Sequence, residues 1–514
     1  MRTNLANALM LGLLDKDCPR SSLELMMTDA KLIPGHGTIF QEVGDIKTIA
    51  SFSQALFDPA VQAGSNYTRR QFLAHGALAS ALVSVPTPGS AEDWLVLRAA
   101  PQAFSLLPSA QPVASMWAYN GQYPGPAITL RQGDTLRVRL RNDLSQPTTV
   151  HWHGIRVPNA YDGVPGMTQN PVQPGQQFEY RFVVPDAGTY WYHPHVNTIE
   201  QIGRGLIGAV IVQERKPPEI DADWTWVLSD LRLDRNGQIV DNFRDLHDAA
   251  HAGRVGNVVF INGGLQQDFS SPPNARIRLR LLAATSARIF ALQFGDSRAW
   301  LMALDGHPVP VQPLTEPLVL APGQRADVLW EAPAEGQTAR VRDVFYQGRG
   351  YELAALKASG AARVKVLAAP APLPENPLPE VRSPTQPEVV INLQGGAMSR
   401  EASREAIWLI NGRAMKNEAM DHAHHPPLFT VKSGHSLDLV LNNRTMWYHP
   451  LHFHGVWLRQ RLGDQWGPVR DTILLSPQES ARVRLFADEP GHWMVHCHVL
   501  GHQANGMMGH FVVV

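Results

Sequence analysis

The chain repeats itself on the scale of a domain, roughly every 145 residues, and this limits the fold more than any other feature. Asn120-Gly121, Asn262-Gly263 and Asn411-Gly412 each precede an alternating segment. The segments run Leu136 to Leu140 (LRVRL), Ile277 to Leu281 (IRLRL) and Leu437 to Leu441 (LDLVL). Alternation of apolar and polar residues predicts half-buried strands. Pro174-Gly175-Gln176, Pro322-Gly323-Gln324 and Pro477-Gln478 each open a further strand, such as Phe178 to Phe182 (FEYRF). Helical periodicity is scarce.

The pattern predicts an all-β chain of three similar units with turns about every 8–12 residues, as Greek-key sandwiches or barrels. Lys216-Pro217-Pro218 separates the first unit from the second. A stiff, extended proline-rich run from Pro370 to Pro387 separates the second from the third. The expected domains are 93–215, 219–368 and 386–514.

Charge narrows the function. Lys+Arg is 45 and Asp+Glu is 46, which leaves no broad electrostatic footprint for nucleic acid. No apolar run is long enough to span a bilayer. Thr68-Arg69-Arg70-Gln71-Phe72-Leu73 resembles a bacterial twin-arginine export signal. A mildly apolar stretch to Val85 and the small residues Gly89-Ser90-Ala91 complete a signal over 67–91, with the mature chain starting near Glu92. The competing reading is an amphipathic helix with two arginines. Residues 1–66 sit upstream of where a signal begins, which points to a start assigned too early, with Val61 as a candidate alternative. The reading implies a periplasmic protein carried by the twin-arginine machinery.

Only two cysteines, Cys18 and Cys497, stand against 21 histidines. That excludes a disulfide scaffold and any site needing several thiolates. The histidines cluster as His151-Trp152-His153, His193-Pro194-His195, His449-Pro450-Leu451-His452-Phe453-His454 and His496-Cys497-His498, with His502 and Met507 following. Each cluster holds a His-x-His pair, and residues two apart on a strand share a face. In the last cluster the thiolate therefore points away from its two neighbours. Cys497 is placed to meet His449, His502 and Met507, the donor set of a blue-copper electron-transfer site. His496 and His498 face a second site. Setting aside His449 and His502 leaves eight clustered histidines, enough for three more coppers bound by three, three and two imidazoles. Zinc is the competing metal, but it has no redox change for a Cys–Met site to exploit. A single His-x-His pair would read as core or surface histidines; four together do not.

The motifs HWHG, HPH, HPLHFHG and HCHVLGHQANGM resemble those of the three-domain multicopper oxidases, the family of laccases and bacterial copper-efflux oxidases. The resemblance covers the chain from about Trp94 to Val514. It implies three cupredoxin-like Greek-key β-barrels and four coppers per chain. It also implies type 1 ligands His449, Cys497, His502 and Met507, and a type 2 pair His151 and His452. The type 3 sets are His153, His193 and His498, and His195, His454 and His496. A reducing substrate would give one electron at a time to the type 1 site. Cys497, His496 and His498 would pass four of them to the trinuclear cluster, where O2 becomes water.

By the same resemblance Asp162 matches an acidic residue that handles protons near the cluster; otherwise it is a turn residue before Gly163. Gln503 stands where bacterial relatives often have a proton-relaying Glu. Phenolic compounds and Cu(I) are the competing substrates, and a copper-free scaffold is the third reading. Met415, Met420, His422, His424 and His425 read better as a polar loop than as a Cu(I) site. Three domains in one chain suffice as a monomer.

Overall fold

The computed structural model describes residues 94–107, 113–265, 267–295, 297–362, 370–380, 382–397, 399–403, 406–415 and 426–514. The export motif, Cys18, the start-site question, Met420, His422, His424 and His425 lie outside the described residues.

The described chain is built of strands, which pair into three successive couples of sheets. The first couple has four strands in each sheet, and the other two have six and five. One pairing scheme recurs. Leu95–Phe104 runs parallel to Thr135–Asn142, Ala222–Leu231 to Arg276–Ala283, and Val389–Gly395 to His435–Asn443. In the partner sheets Gly125–Arg131 runs parallel to Gly208–Gln213, Gln267–Ser271 to Tyr351–Ala358, and Thr430–Val431 to Met508–Val513. Parallel neighbours need a crossover connection, so the chain passes repeatedly between the two sheets of each couple. The strand-bearing segments fall within 93–215, 219–368 and 386–514, and we propose those limits as the domain boundaries.

The repeated Asn-Gly has one physical cause in all three places. Asn120, Asn262 and Asn411 have φ of 53°, 50° and 50°, and the glycines that follow are also positive. Two successive positive φ values make the tight turn that fits twisted strands. Each Asn side chain also accepts a backbone N–H of its unit's first strand: Arg98 at 2.6 Å, Val227 at 2.9 Å and Asn392 at 2.8 Å. The turn is thereby stapled to the strand that pairs with the one it follows.

The first and third alternating segments are half-buried strands, as expected. The middle one differs. Arg276–Ala283 is buried at every position, including its arginines. Arg278 pairs with Glu214 and Asp327, Arg280 with Asp223, and Arg276 with Glu331. The face that alternation assigns to solvent is covered, and each charge is neutralised there. The proline-rich run is likewise more than a spacer. Leu373 is buried, and the Asn376 amide donates to the carbonyls of Ala187 and Gly306.

The apolar cores are unequal. One continuous cluster joins residues from Leu97 to Val212 with residues from Ile391 to Val513. The middle segment has its own core around Trp226, Leu279 and Trp330. The first and third units therefore pack on each other directly, and the histidine strands meet where they do.

Candidate metal centre

Strand register brings the histidines together. His151–His153 pairs with Gly188–His193 so that His151 lies opposite His193. His449–Phe453 pairs with Gly491–Cys497 so that His452 lies opposite His496 and Leu451 opposite Cys497. The two ribbons face each other across the contact between the first and third units. The His151 ring stacks on His454 with centroids 4.0 Å apart, and His153 stacks on His452 at 3.7 Å.

Three nitrogens, one from each of His153, His193 and His498, lie within 4.8 Å of one another. So do those of His195, His454 and His496, and those of His151, His153 and His452. All of these side chains are buried. Nε2 of His151, His193, His195, His452 and His498 has no hydrogen-bond partner. Burial is the first cause that holds His153, His193, His195, His454, His496 and His498 well below the usual histidine pKa, so they are neutral and carry free lone pairs. Converging, neutral, buried imidazoles without partners are costly unless a metal takes those lone pairs.

The opposite face of the last strand carries a second cluster. Cys497 Sγ lies 3.5 Å from His449 Nδ1 and 3.7 Å from His502 Nδ1, and the two nitrogens are 3.1 Å apart. Both rings are held from behind. His449 Nε2–H donates to Thr445 Oγ1 at 2.7 Å, and His502 Nε2–H donates to the His251 carbonyl at 2.7 Å. That fixes the tautomer leaving Nδ1 free to coordinate. Met507 is fully buried and tied to both neighbours: its carbonyl accepts from Cys497 N–H at 3.0 Å, and its N–H donates to the His502 carbonyl at 3.0 Å. Burial pushes the Cys497 thiol up and pushes His502 down to about 3. The Val499 N–H points at the sulfur at 3.4 Å, a donor suited to a thiolate. The alternation at 496–498 thus separates two donor sets, as expected. Two imidazoles with a thiolate suit copper, and imidazole-only sites suit copper as well.

Asp162 bridges the two units. Its Oδ2 is 2.9 Å from His454 Nδ1, its Oδ1 is 3.2 Å from His151 Nδ1, and its carbonyl accepts from His151 Nδ1 at 2.7 Å. Gln503 is fully buried, and neither atom of its amide has a hydrogen-bond partner. Met415 packs with Val164, Met494 and Met508.

The motifs give no sign of several residues that position the histidines. Asp471 Oδ1 lies 3.4 Å from His153 Nε2 and 3.5 Å from His452 Nδ1. Burial acts to raise its pKa, but the charge of Arg325 together with the hydrogen bonds to His153 and His452 outweighs burial and holds the carboxyl well below the usual range. Arg325 comes from the middle segment, which carries none of the histidine motifs. A Cβ at Gly323 would lie 2.9 Å from His498 Cδ2 and 3.1 Å from His153 Cε1, so only glycine lets this backbone close on the cluster.

Sequence profiles described as multicopper oxidase match residues 103–217 and 382–514. A multicopper oxidase structure from Pseudomonas thermotolerans is 34% identical, covers 82% of this chain and 99% of its own, and superposes with a TM-score of 0.74. A Campylobacter jejuni multicopper oxidase, described as a metallo-oxidase, is 28% identical over 81% of this chain and 90% of its own, with a TM-score of 0.69. The multicopper oxidase MmcO of Mycobacterium tuberculosis is 29% identical over 77% of this chain and 82% of its own. The chain belongs to the multicopper oxidase family. It is a laccase-like oxidoreductase of cupredoxin-like domains with four coppers per chain, and it couples one-electron oxidations of a reductant to reduction of O2 to water. Among the described residues no helix is long and apolar enough to cross a membrane.

Proposed function

We propose that His449, Cys497, His502 and Met507 hold a type 1 copper that takes electrons from the reductant. The pair His151 and His452 holds the type 2 copper. His153, His193 and His498 hold one type 3 copper, and His195, His454 and His496 hold the other. The observation that carries this reading is the strand Gly491–Cys497 with His498 just past its end. It puts Cys497 Sγ against His449 and His502, and His496 Nε2 3.2 Å from His454 Nε2 on the other face. Bound copper supplies the one-electron redox steps and the site of O2 reduction.

The protein's own residues do the rest. Cys497 and its neighbours His496 and His498 give a covalent path between the two donor sets. Asp162 holds His151 and His454 in orientation and supplies a carboxylate for protons beside the cluster. The weak thioether of Met507 sets the driving force toward lower potential. All of these ligands lie in one chain, so a monomer suffices. Export by the twin-arginine route to the periplasm fits the Thr68 to Leu73 motif, since that route carries folded, cofactor-loaded proteins.

The reductant is a phenolic compound or a reduced metal ion. Steady-state O2 consumption with phenols, Cu(I), Fe(II) and Mn(II), compared donor by donor, decides between them. Cys497→Ser abolishes both the blue colour and turnover. Turnover that survives in this variant, or fewer than four coppers per reconstituted chain, would overturn the assignment.

A further inference from the structure

The group that orients His502 belongs to the middle segment, and it leads to the surface. His502 Nε2 donates to the carbonyl of His251, the residue that closes the short helix Leu246–Ala250. One turn earlier stands His247. Residues four apart share a helix face. The rings of His247 and His251 are stacked with centroids 4.1 Å apart and planes 30° apart. His251 Nδ1–H donates to the His247 carbonyl at 2.8 Å, which leaves the His251 Nε2 lone pair free. His247 is exposed and His251 half-buried. Of the nearby carboxylates, Asp248 is engaged by Arg232 and Asp245 caps the helix, accepting from the Asp248 N–H. Trp447 flanks the pair, its ring edge-on to His251 at 5.7 Å.

We propose that His247 and His251 form a surface docking site for a transition-metal ion, and that Cu(I) docked there is an oxidisable substrate. Two imidazoles in His-x3-His spacing, with the Asp248 carboxylate engaged by Arg232, select copper, nickel or zinc over magnesium or calcium. The site is one residue's backbone and one hydrogen bond from the His502 ring. Each docked Cu(I) loses one electron and leaves as Cu(II). Four such electrons, with four protons from solvent, reduce one O2 to two waters, which is the established activity. The proposal rests on the assignment of His502 to the type 1 site.

The test uses the four-copper holoenzyme and Ni2+ as a redox-inert probe. Calorimetric titration should show one Ni2+ per chain, bound at least about tenfold more weakly in His247→Ala. Ni2+ should compete with Cu(I), and the KM for Cu(I) should rise about tenfold in His247→Ala while the blue band stays unchanged. His247→Gln should behave like His247→Ala. Equal Ni2+ binding in wild type and variant overturns the site. Ni2+ binding without competition against Cu(I), or an unchanged KM, overturns its role in electron uptake. A holoenzyme that lacks the blue band or holds fewer than four coppers sinks the underlying assignment instead.

Discussion

Arg325 and Asp471 form a two-pronged ion pair, Nη1 to Oδ1 at 2.9 Å and Nη2 to Oδ2 at 2.6 Å, with both side chains buried. The arginine comes from the middle segment. The aspartate lies beside His153 of the first and His452 of the third, so one pair ties all three to the cluster. Arg325→Leu leaves the Asp471 charge buried without its partner, which costs about 3–5 kcal/mol. The expected variant melts at lower temperature and loses type 2 copper while keeping its blue band. Arg325→Lys restores the charge but not the second prong, so it should recover part of the copper. Copper analysis and electron paramagnetic resonance read both effects. A fully loaded Arg325→Leu of unchanged melting temperature would remove Arg325 from this role.

Asp162 touches a histidine of the first unit and one of the third with its two carboxylate oxygens. Asp162→Ala removes both contacts and the nearby proton carrier. Turnover with O2 should fall about 10- to 100-fold, the usual cost of losing a group that orients a metal ligand. The type 1 site shares no contact with Asp162, so anaerobic bleaching of the blue band by a reductant should keep its rate. Asp162→Asn should retain more copper than Asp162→Ala but stay slow in reoxidation, because an amide cannot carry the proton. Stopped-flow reduction and reoxidation separate the two steps; unchanged reoxidation in either variant defeats the role.

What the sequence reveals is the part set by local period. His-x-His reads as one strand face, and His496-Cys497-His498 reads as two, because a strand alternates whatever surrounds it. Asn120, Asn262 and Asn411 announce the repeat because positive φ is a local demand. What stays hidden depends on distant partners. Arg276, Arg278 and Arg280 look solvent-facing until Glu331, Glu214, Asp327 and Asp223 arrive from elsewhere in the chain. His251 orients His502 through its carbonyl, which every residue type has, so no motif records it. Asp471 and Thr445 are single polar residues among many: the pairing of Thr472–Leu475 with His449–Phe453 brings Asp471 to His452, and the bend before His449 brings Thr445 to its ring.

Thr445 offers a narrow test of the blue-copper geometry. Its Oγ1 accepts from His449 Nε2 at 2.7 Å and passes its own proton to Asn443 Oδ1 at 2.8 Å. Thr445→Val keeps the volume but leaves the imidazole N–H buried and unpaired, a cost of about 1–3 kcal/mol. The His449 ring loses its fixed tautomer, and type 1 copper should bind about tenfold or more weakly. Thr445→Ser should restore it. Competition with a chelator, followed through the blue band, measures the change. Equal copper retention in wild type and Thr445→Val would mean that packing alone holds the ring.

The metal-free chain should be unstable in mild acid, and the sign follows from the histidines. Their pKa values in the folded chain lie below the usual 6.5, with His502 near 3, chiefly because burial disfavours the charged form. Above pH 6.5 neither state takes protons and their contribution is complete. As pH falls below 6.5 the unfolded chain binds protons that the folded chain refuses, so stability is lost down toward the folded values. Each such histidine costs about 1.4 kcal/mol per pH unit in that window. Three of them remove roughly 4 kcal/mol by pH 5.5, a large share of a typical domain's stability. Asp471, held low by Arg325, adds a loss in the same direction below the usual carboxylate range. Bound copper occupies the same lone pairs and should shift the acid transition downward. Urea unfolding of the metal-free and copper-loaded chains at pH 7.5 and 5.5 tests this. The metal-free midpoint should drop steeply and the loaded one little; equal drops would mean that these histidines are not the groups that set acid stability.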